Sequence, residues 1–165
     1  MIPSTTHGAE IMFKKILIPT DGSKLSAQAA NKGVCFARET GAEIVALYVT
    51  QPFAATVGFD GMAAAYAITD EDYDKTAQQQ AEKYLKSVLD RAETAGVKAT
   101  GKAVSNFNVA DGLVQAAEEE GCDLIFIGSH GRSGLSRLLL GSVTIKVLSL
   151  AKTAVLVYRV KESAD

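Results

Sequence analysis

The chain has 165 residues, with 17 Lys+Arg against 19 Asp+Glu and a formal net charge of −2. That length suits one domain, able to bury roughly 70% of the surface its unfolded chain exposes. With 47% apolar and 22% charged residues, a disordered, collagenous or disulfide-scaffold chain is excluded. No apolar run approaches the ~18 residues that span a bilayer, and no basic-then-apolar leader is visible. Cys35 and Cys122 form no C-x-x-C and have no neighbouring His, which points to a reducing compartment and no metal site. The expectation is a soluble, cytoplasmic protein with no membrane insertion, and near-neutral charge gives no general pull toward nucleic acid.

Residues 1–11 show no periodicity and read as a loose extension before a domain spanning 12–161. Lys15–Pro19 is a short apolar strand closed by the turn residues Thr20-Asp21-Gly22-Ser23. Leu25, Ala29, Gly33, Val34, Phe36 and Ala37 then recur at helical spacing up to Gly41, with Cys35 placed on the apolar face. Glu43–Val49 is a near-continuous apolar strand, as expected where both faces are covered. Residues 51–69 form a long Ala- and Gly-rich connection.

Thr69-Asp-Glu-Asp72 starts a second helix, whose stripe Tyr73, Ala77, Ala81, Tyr84, Leu85, Val88, Leu89 and Ala92 runs to Gly96. Val97–Val104 alternates as a strand, and Asn108 caps a helix with Val109, Leu113, Val114 and Ala117 inside, ending at Gly121. Asp123–Gly128 is a buried strand. After a glycine-rich loop come a helix with Val143, Val147, Leu148 and Ala151 inward, and the strand Thr153–Val160. Strict β/α alternation without repeat or linker predicts a single doubly wound α/β domain, with parallel strands joined by right-handed crossovers and helices on both faces.

In such sheets ligands bind beyond the carboxyl ends of the strands, where the winding reverses. Two strand ends stand out: Pro19-Thr20-Asp21-Gly22-Ser23, and Gly128-Ser129-His130-Gly131-Arg132-Ser-Gly134 continuing to Gly141-Ser142-Val143-Thr144. Glycines let a backbone approach an anion closely, and unpaired N–H groups at a helix start favour negative charge. A tight turn plus a helix cap is the plain alternative. Three facts weigh against it: the buried strand before the loop, Asp21 across the reversal point, and the charge distribution. Residues 124–161 hold six basic side chains and no acidic one. Asp21 would accept hydrogen bonds from ribose hydroxyls.

The run Gly128-x2-Gly131-x9-Gly141-Ser142 resembles the nucleotide-binding signature of the ATP-binding branch of the universal stress proteins. The opening KKILIPTDGS, the strand ending Tyr48-Val49 and the segment Asp123-Leu-Ile-Phe-Ile-Gly-Ser-His-Gly-Arg are similar to the same family, from Met12 to about Val160. The resemblance implies a Rossmann-like fold of the adenine nucleotide alpha hydrolase type, with five parallel strands in order 3-2-1-4-5. It also implies ATP as ligand, with or without Mg²⁺, or AMP or another adenine nucleotide. By position, Pro19 and Thr20 would line the base pocket, Val49 would read the adenine edge and Asp21 would take the ribose. Gly128, Gly131 and Arg132, with Ser129 and His130 between, would meet ribose and α-phosphate. Gly141, Ser142, Val143 and Thr144 would hold the β- and γ-phosphates.

Other machineries are missing. There is no G-x-x-x-x-G-K-[ST], no G-x-G-x-x-G after the first strand and no H-x-G-H in its loop. His130 has no sequence-adjacent carboxylate, so no catalytic residue is assigned. The reading is a nucleotide-binding stress-response regulator with an unknown regulatory protein partner and at most slow ATP hydrolysis. An ATP-consuming phosphotransferase or hydrolase with residues 51–69 as a lid, and a nucleotide-free interaction module, are the rivals. In order 3-2-1-4-5 the strand 153–160 is an apolar edge without proline or inward charge, which invites pairing. The resemblance implies a homodimer through it.

Overall fold

The computed structural model describes residues 12–53, 69–130 and 140–159. Among the described residues five strands, β1 (Lys15–Pro19), β2 (Glu43–Thr50), β3 (Ala99–Ser105), β4 (Leu124–Gly128) and β5 (Ala154–Tyr158), alternate with four helices. These are α1 (Lys24–Thr40), α2 (Asp70–Thr94), α3 (Val109–Glu119) and α4 (Ser142–Leu150). All pairings are parallel, in order β3-β2-β1-β4-β5. The chain winds one way through β1, β2 and β3 and the other way through β4 and β5. The reversal therefore falls between the carboxyl ends of β1 and β4.

The apolar runs of the central strands follow from a sheet covered on both faces. Because side chains alternate, Ile16, Ile18, Ile44, Ala46, Tyr48, Leu124 and Phe126 share one face, against Ala30, Val34 and Ala37 of α1 and Ala81, Leu85 and Val88 of α2. Leu17, Val45, Leu47, Ile125 and Ile127 share the other, against Leu113, Ala116 and Ala117 of α3 and Val147 of α4. At roughly 1.5–3 kcal/mol for each large aliphatic side chain fully buried, these central strands dominate the favourable side of folding and leave the loops beyond them free to serve a ligand.

Helix starts follow the capping chemistry read from sequence: Ser23 accepts from Ser26 N, Thr69 from Asp72 N and Asn108 from Ala110 N. Some details differ. Val97 N–H donates to Ala92 O in the turn that closes α2, so β3 begins at Ala99 rather than Val97. The last strand is Ala154–Tyr158, shorter than 153–160, with residue 160 outside the described set. Cys35 is exposed instead of lying on the apolar face, because Val34 and Ala37 set the inward stripe of α1 and a one-residue step turns Cys35 to solvent. On α4 the inward residues are Thr144 and Val147, and Leu148 is 44% exposed. Burial pushes the Cys122 thiol up to about 11, consistent with an unreactive core cysteine.

Candidate functional site

A cleft of about 490 Å³ opens at the carboxyl ends of β1, β2 and β4, where the winding reverses. It gathers Pro19, Thr20, Asp21, Val49, Gly128, His130, Gly141, Ser142, Val143 and Thr144. Ten of the thirteen residues singled out in the sequence thus share one concavity. Ser129 lies directly behind it, fully buried. Gly131 and Arg132 fall outside the described residues, as do residues 1–11 and 54–68.

The β1 side is a self-bonded turn. Thr20 N–H donates to Leu47 O across the sheet at 2.9 Å. The Asp21 carboxylate accepts from Ser23 N–H at 2.9 Å, an Asx turn that also fixes where the carboxylate stands. Gly22 N–H reaches Thr20 Oγ1 at 3.3 Å, and the buried Ser26 hydroxyl donates to Ser23 O at 3.1 Å. Gly22 has φ +77°, and a Cβ built there would sit 2.3 Å from the Tyr84 ring of α2. Tyr84 in turn packs on Tyr48 at 5.5 Å between ring centroids.

The β4 side ties the end of the strand to the start of α4. Thr144 Oγ1 donates to Gly128 O at 2.9 Å, while Gly141 N–H donates to Ser129 O at 2.8 Å, so the start of α4 is moored to the end of β4. The α4 N-cap is Gly141, which makes no side-chain cap bond, and its carbonyl accepts from Ile145 N–H. The N–H groups of Ser142, Val143 and Thr144, residues that line the cleft, therefore lack intrahelical acceptors and stand at the positive end of the helix dipole. His130 Nδ1 lies 3.0 Å from Ser129 Oγ, and its Nε2 is buried without a hydrogen-bond partner.

The sequence reading missed the α2 wall. Tyr73, Thr76, Ala77 and Gln80 line the cleft at helical spacing, with Ser26, Gln51, Val109 and Leu113 around it. Tyr73 and Ala77 read as core stripe, yet the first turns of α2 project past the sheet, and both are only half-buried. The wall is braced: Tyr73 OH donates to Gln51 O at 3.0 Å, and Gln51 Nε2 donates to Phe107 O at 3.3 Å. The spacing 73-76-77-80 was the available signal, with polar Thr76 and Gln80 interrupting an apolar face.

The sequence model of the Universal stress protein family matches residues 12–159. Universal stress protein MJ0531 of Methanocaldococcus jannaschii is 35% identical over 161 residues, covering 96% of this chain and 89% of that protein. Among solved structures, the hypothetical protein MJ0577 superposes with a TM-score of 0.75 at 28% identity, over 92% of this chain and 99% of the other. A universal stress protein in complex with cAMP superposes with a TM-score of 0.60, also at 28% identity, over 89% and 97%.

Proposed function

Because the chain belongs to the universal stress protein family, we propose that its cleft binds an adenine nucleotide, with ATP as the principal ligand. The observation that carries this reading is the convergence of the α4 N-terminus, His130 and Asp21 on one 490 Å³ cleft. Donors at one end suit phosphates, and a fixed carboxylate suits ribose hydroxyls. The structure of a 28% identical universal stress protein in complex with cAMP supports an adenine nucleotide as the ligand class. In this reading Gly141–Thr144 hold the terminal phosphates, Gly128 and His130 the inner one, Asp21 the ribose, and Pro19, Thr20 and Val49 the base, with Mg²⁺ arriving on the phosphates.

The protein acts as a cytoplasmic, homodimeric regulator in which nucleotide occupancy changes the surface shown to a protein partner. Slow hydrolysis is its upper limit of chemistry. The described phosphate end, Gly128, His130 and Gly141–Thr144, offers no carboxylate to position an attacking water. Dimerisation is supported by the edge position of β5 and by the neighbouring α4 side chains Ile145, Leu148 and Leu150, exposed by 49%, 44% and 47%. Sedimentation is expected to give a dimer; a monomer at micromolar concentration contradicts that part.

Thermal unfolding of nucleotide-free protein with Mg-ATP, beside GTP, AMP, cyclic AMP and NAD, tests the ligand. At 100 times the dissociation constant a ligand stabilises by about 2.7 kcal/mol. That is a melting shift of roughly 5–10 °C for this chain length. A larger shift with cyclic AMP than with ATP moves the ligand within the adenine class. No shift with any of them removes the nucleotide reading.

A further inference from the structure

The α2 wall of the cleft is neutral in a helix that is otherwise rich in charge. Its lining residues are Tyr73, Thr76, Ala77 and Gln80, while the positions around them hold the exposed Glu71, Asp72, Asp74, Lys75, Glu82 and Lys83. The other polar side chains of this wall are already committed to the protein. Tyr73 OH donates to Gln51 O, Gln51 Nε2 to Phe107 O, and Thr76 Oγ1 to Asp72 O at 2.8 Å. Gln80 differs: among the described residues its amide makes no hydrogen bond.

The register of α2 places that amide. Tyr84 abuts Gly22, since a Cβ built on the glycine would lie 2.3 Å from the ring. Gln80 is four residues earlier on the same helix face, one turn or about 5.4 Å along the axis. It therefore stands beside the turn that presents Asp21, and both residues line the one cleft. Their chemistry is complementary. A carboxylate only accepts, so a ribose hydroxyl that gives its proton to Asp21 keeps lone pairs that need a donor. A primary amide supplies that donor without adding charge. We propose that Gln80 is a specificity-determining residue, donating from Nε2 to the oxygen of the ribose hydroxyl whose proton Asp21 accepts. The proposal rests on the nucleotide reading above and adds to it a sugar contact from α2.

Titrations of ATP, 2′-deoxy-ATP and 3′-deoxy-ATP into the parent, Gln80→Leu, Gln80→Glu and Thr76→Val test it. Position 80 is exposed, so Gln80→Leu should melt with the parent. Its ATP affinity should fall about fivefold, the worth of one hydrogen bond. Its affinity for the deoxy analogue that lacks the contacted hydroxyl should change by less than about twofold. Gln80→Glu keeps the shape, removes the donor and sets a second carboxylate against the hydroxyl oxygen, so it should lose more ATP affinity than Gln80→Leu. Thr76→Val removes a hydroxyl spent on Asp72 O and should leave all three affinities within about twofold. Unchanged ATP affinity in Gln80→Leu, equal losses for ATP and both analogues, or a matching loss in Thr76→Val overturns the proposal. A parent that binds none of the three nucleotides brings down the nucleotide reading and this proposal with it. A parent that binds ATP beside an unaffected Gln80→Leu brings down this proposal alone.

Discussion

The turn after β1 and the turn before α4 each place a glycine beside the cleft, yet the two glycines answer to different neighbours. Gly22 is demanded by the protein: its φ of +77° disfavours any side chain, and a Cβ would lie 2.3 Å from the Tyr84 ring. Gly141 is not. It has φ −61° and ψ 151°, open to any residue, and its nearest Cβ contact would be Ser129 O at 3.4 Å, ordinary packing. The first turn also spends its polar groups on itself, through Asp21 with Ser23 and Thr20 with Gly22. The second has a glycine N-cap with no side-chain cap bond, and beside it His130 Nε2 is buried without a hydrogen-bond partner. The β1 turn is thus a rigid bracket presenting Asp21, while the α4 start is a surface shaped for something outside the chain. A glycine that the fold does not require is informative where open donors surround it.

Substitution at the bracket should have the largest effect. Gly22→Val combines a left-handed backbone with a clash against a ring already packed on Tyr48. A loss of about 3 kcal/mol in urea unfolding is expected. A loss below about 1 kcal/mol would show that Tyr84 swings away and that the bracket is soft. At the other end, Gly141→Ala should leave stability within about 1 kcal/mol of the parent, or raise it slightly. Its ATP affinity should fall at least about tenfold, equivalent to about 1.4 kcal/mol. If unfolding weakens instead and ATP binding is untouched, the contrast between the glycines is wrong.

Smaller effects sharpen the picture. Thr144→Val keeps volume but removes the buried donor to Gly128 O. About 1 kcal/mol of stability should go with it, read by denaturant titration. The weakest effect concerns the far end of the sheet, where Glu43 opens β2 and Glu120 lies ahead of β4. Hydrogen bonds from Lys98 and Lys102 hold these carboxyls below their usual 4.5. A depressed folded value means stability present above the ordinary glutamate range and lost as pH falls through it. Lys98–Glu43 is solvent-exposed and Lys102–Glu120 only half-buried at the surface, so the acid-side slope should be shallow. Glu120→Gln should flatten part of it without moving ATP affinity, and a change in affinity would mean that the two ends of the sheet communicate.

The order of elements was legible because β1, β2, β4 and β5 are short apolar runs and α1, α2 and α3 each carry a glycine stop. Gly41, Gly96 and Gly121 all fall just past helix ends. The candidate site was legible where its residues sit in signatures at strand ends. Phase errors arose where packing decides. A helix of 9 residues such as α4 has too few turns to show that Thr144, bonded to Gly128 O, faces inward while Leu148 does not. Cys35 looked apolar by type but lies off the stripe. Tyr73 and Ala77 share a period with Leu85 and Val88, yet they overhang the sheet and meet the cleft. Periodicity shows which face is apolar, not where the sheet beneath it ends.

The most direct test of the account is calorimetric titration of Mg-ATP into nucleotide-free protein, with Gly141→Ala alongside. The account predicts saturable binding of one ATP per chain in the parent and a clearly weaker curve in the variant, with both proteins unfolding at similar temperatures. No heat and no saturation in a parent that is folded and nucleotide-free would contradict it, and the open donors at the start of α4 would then need another ligand.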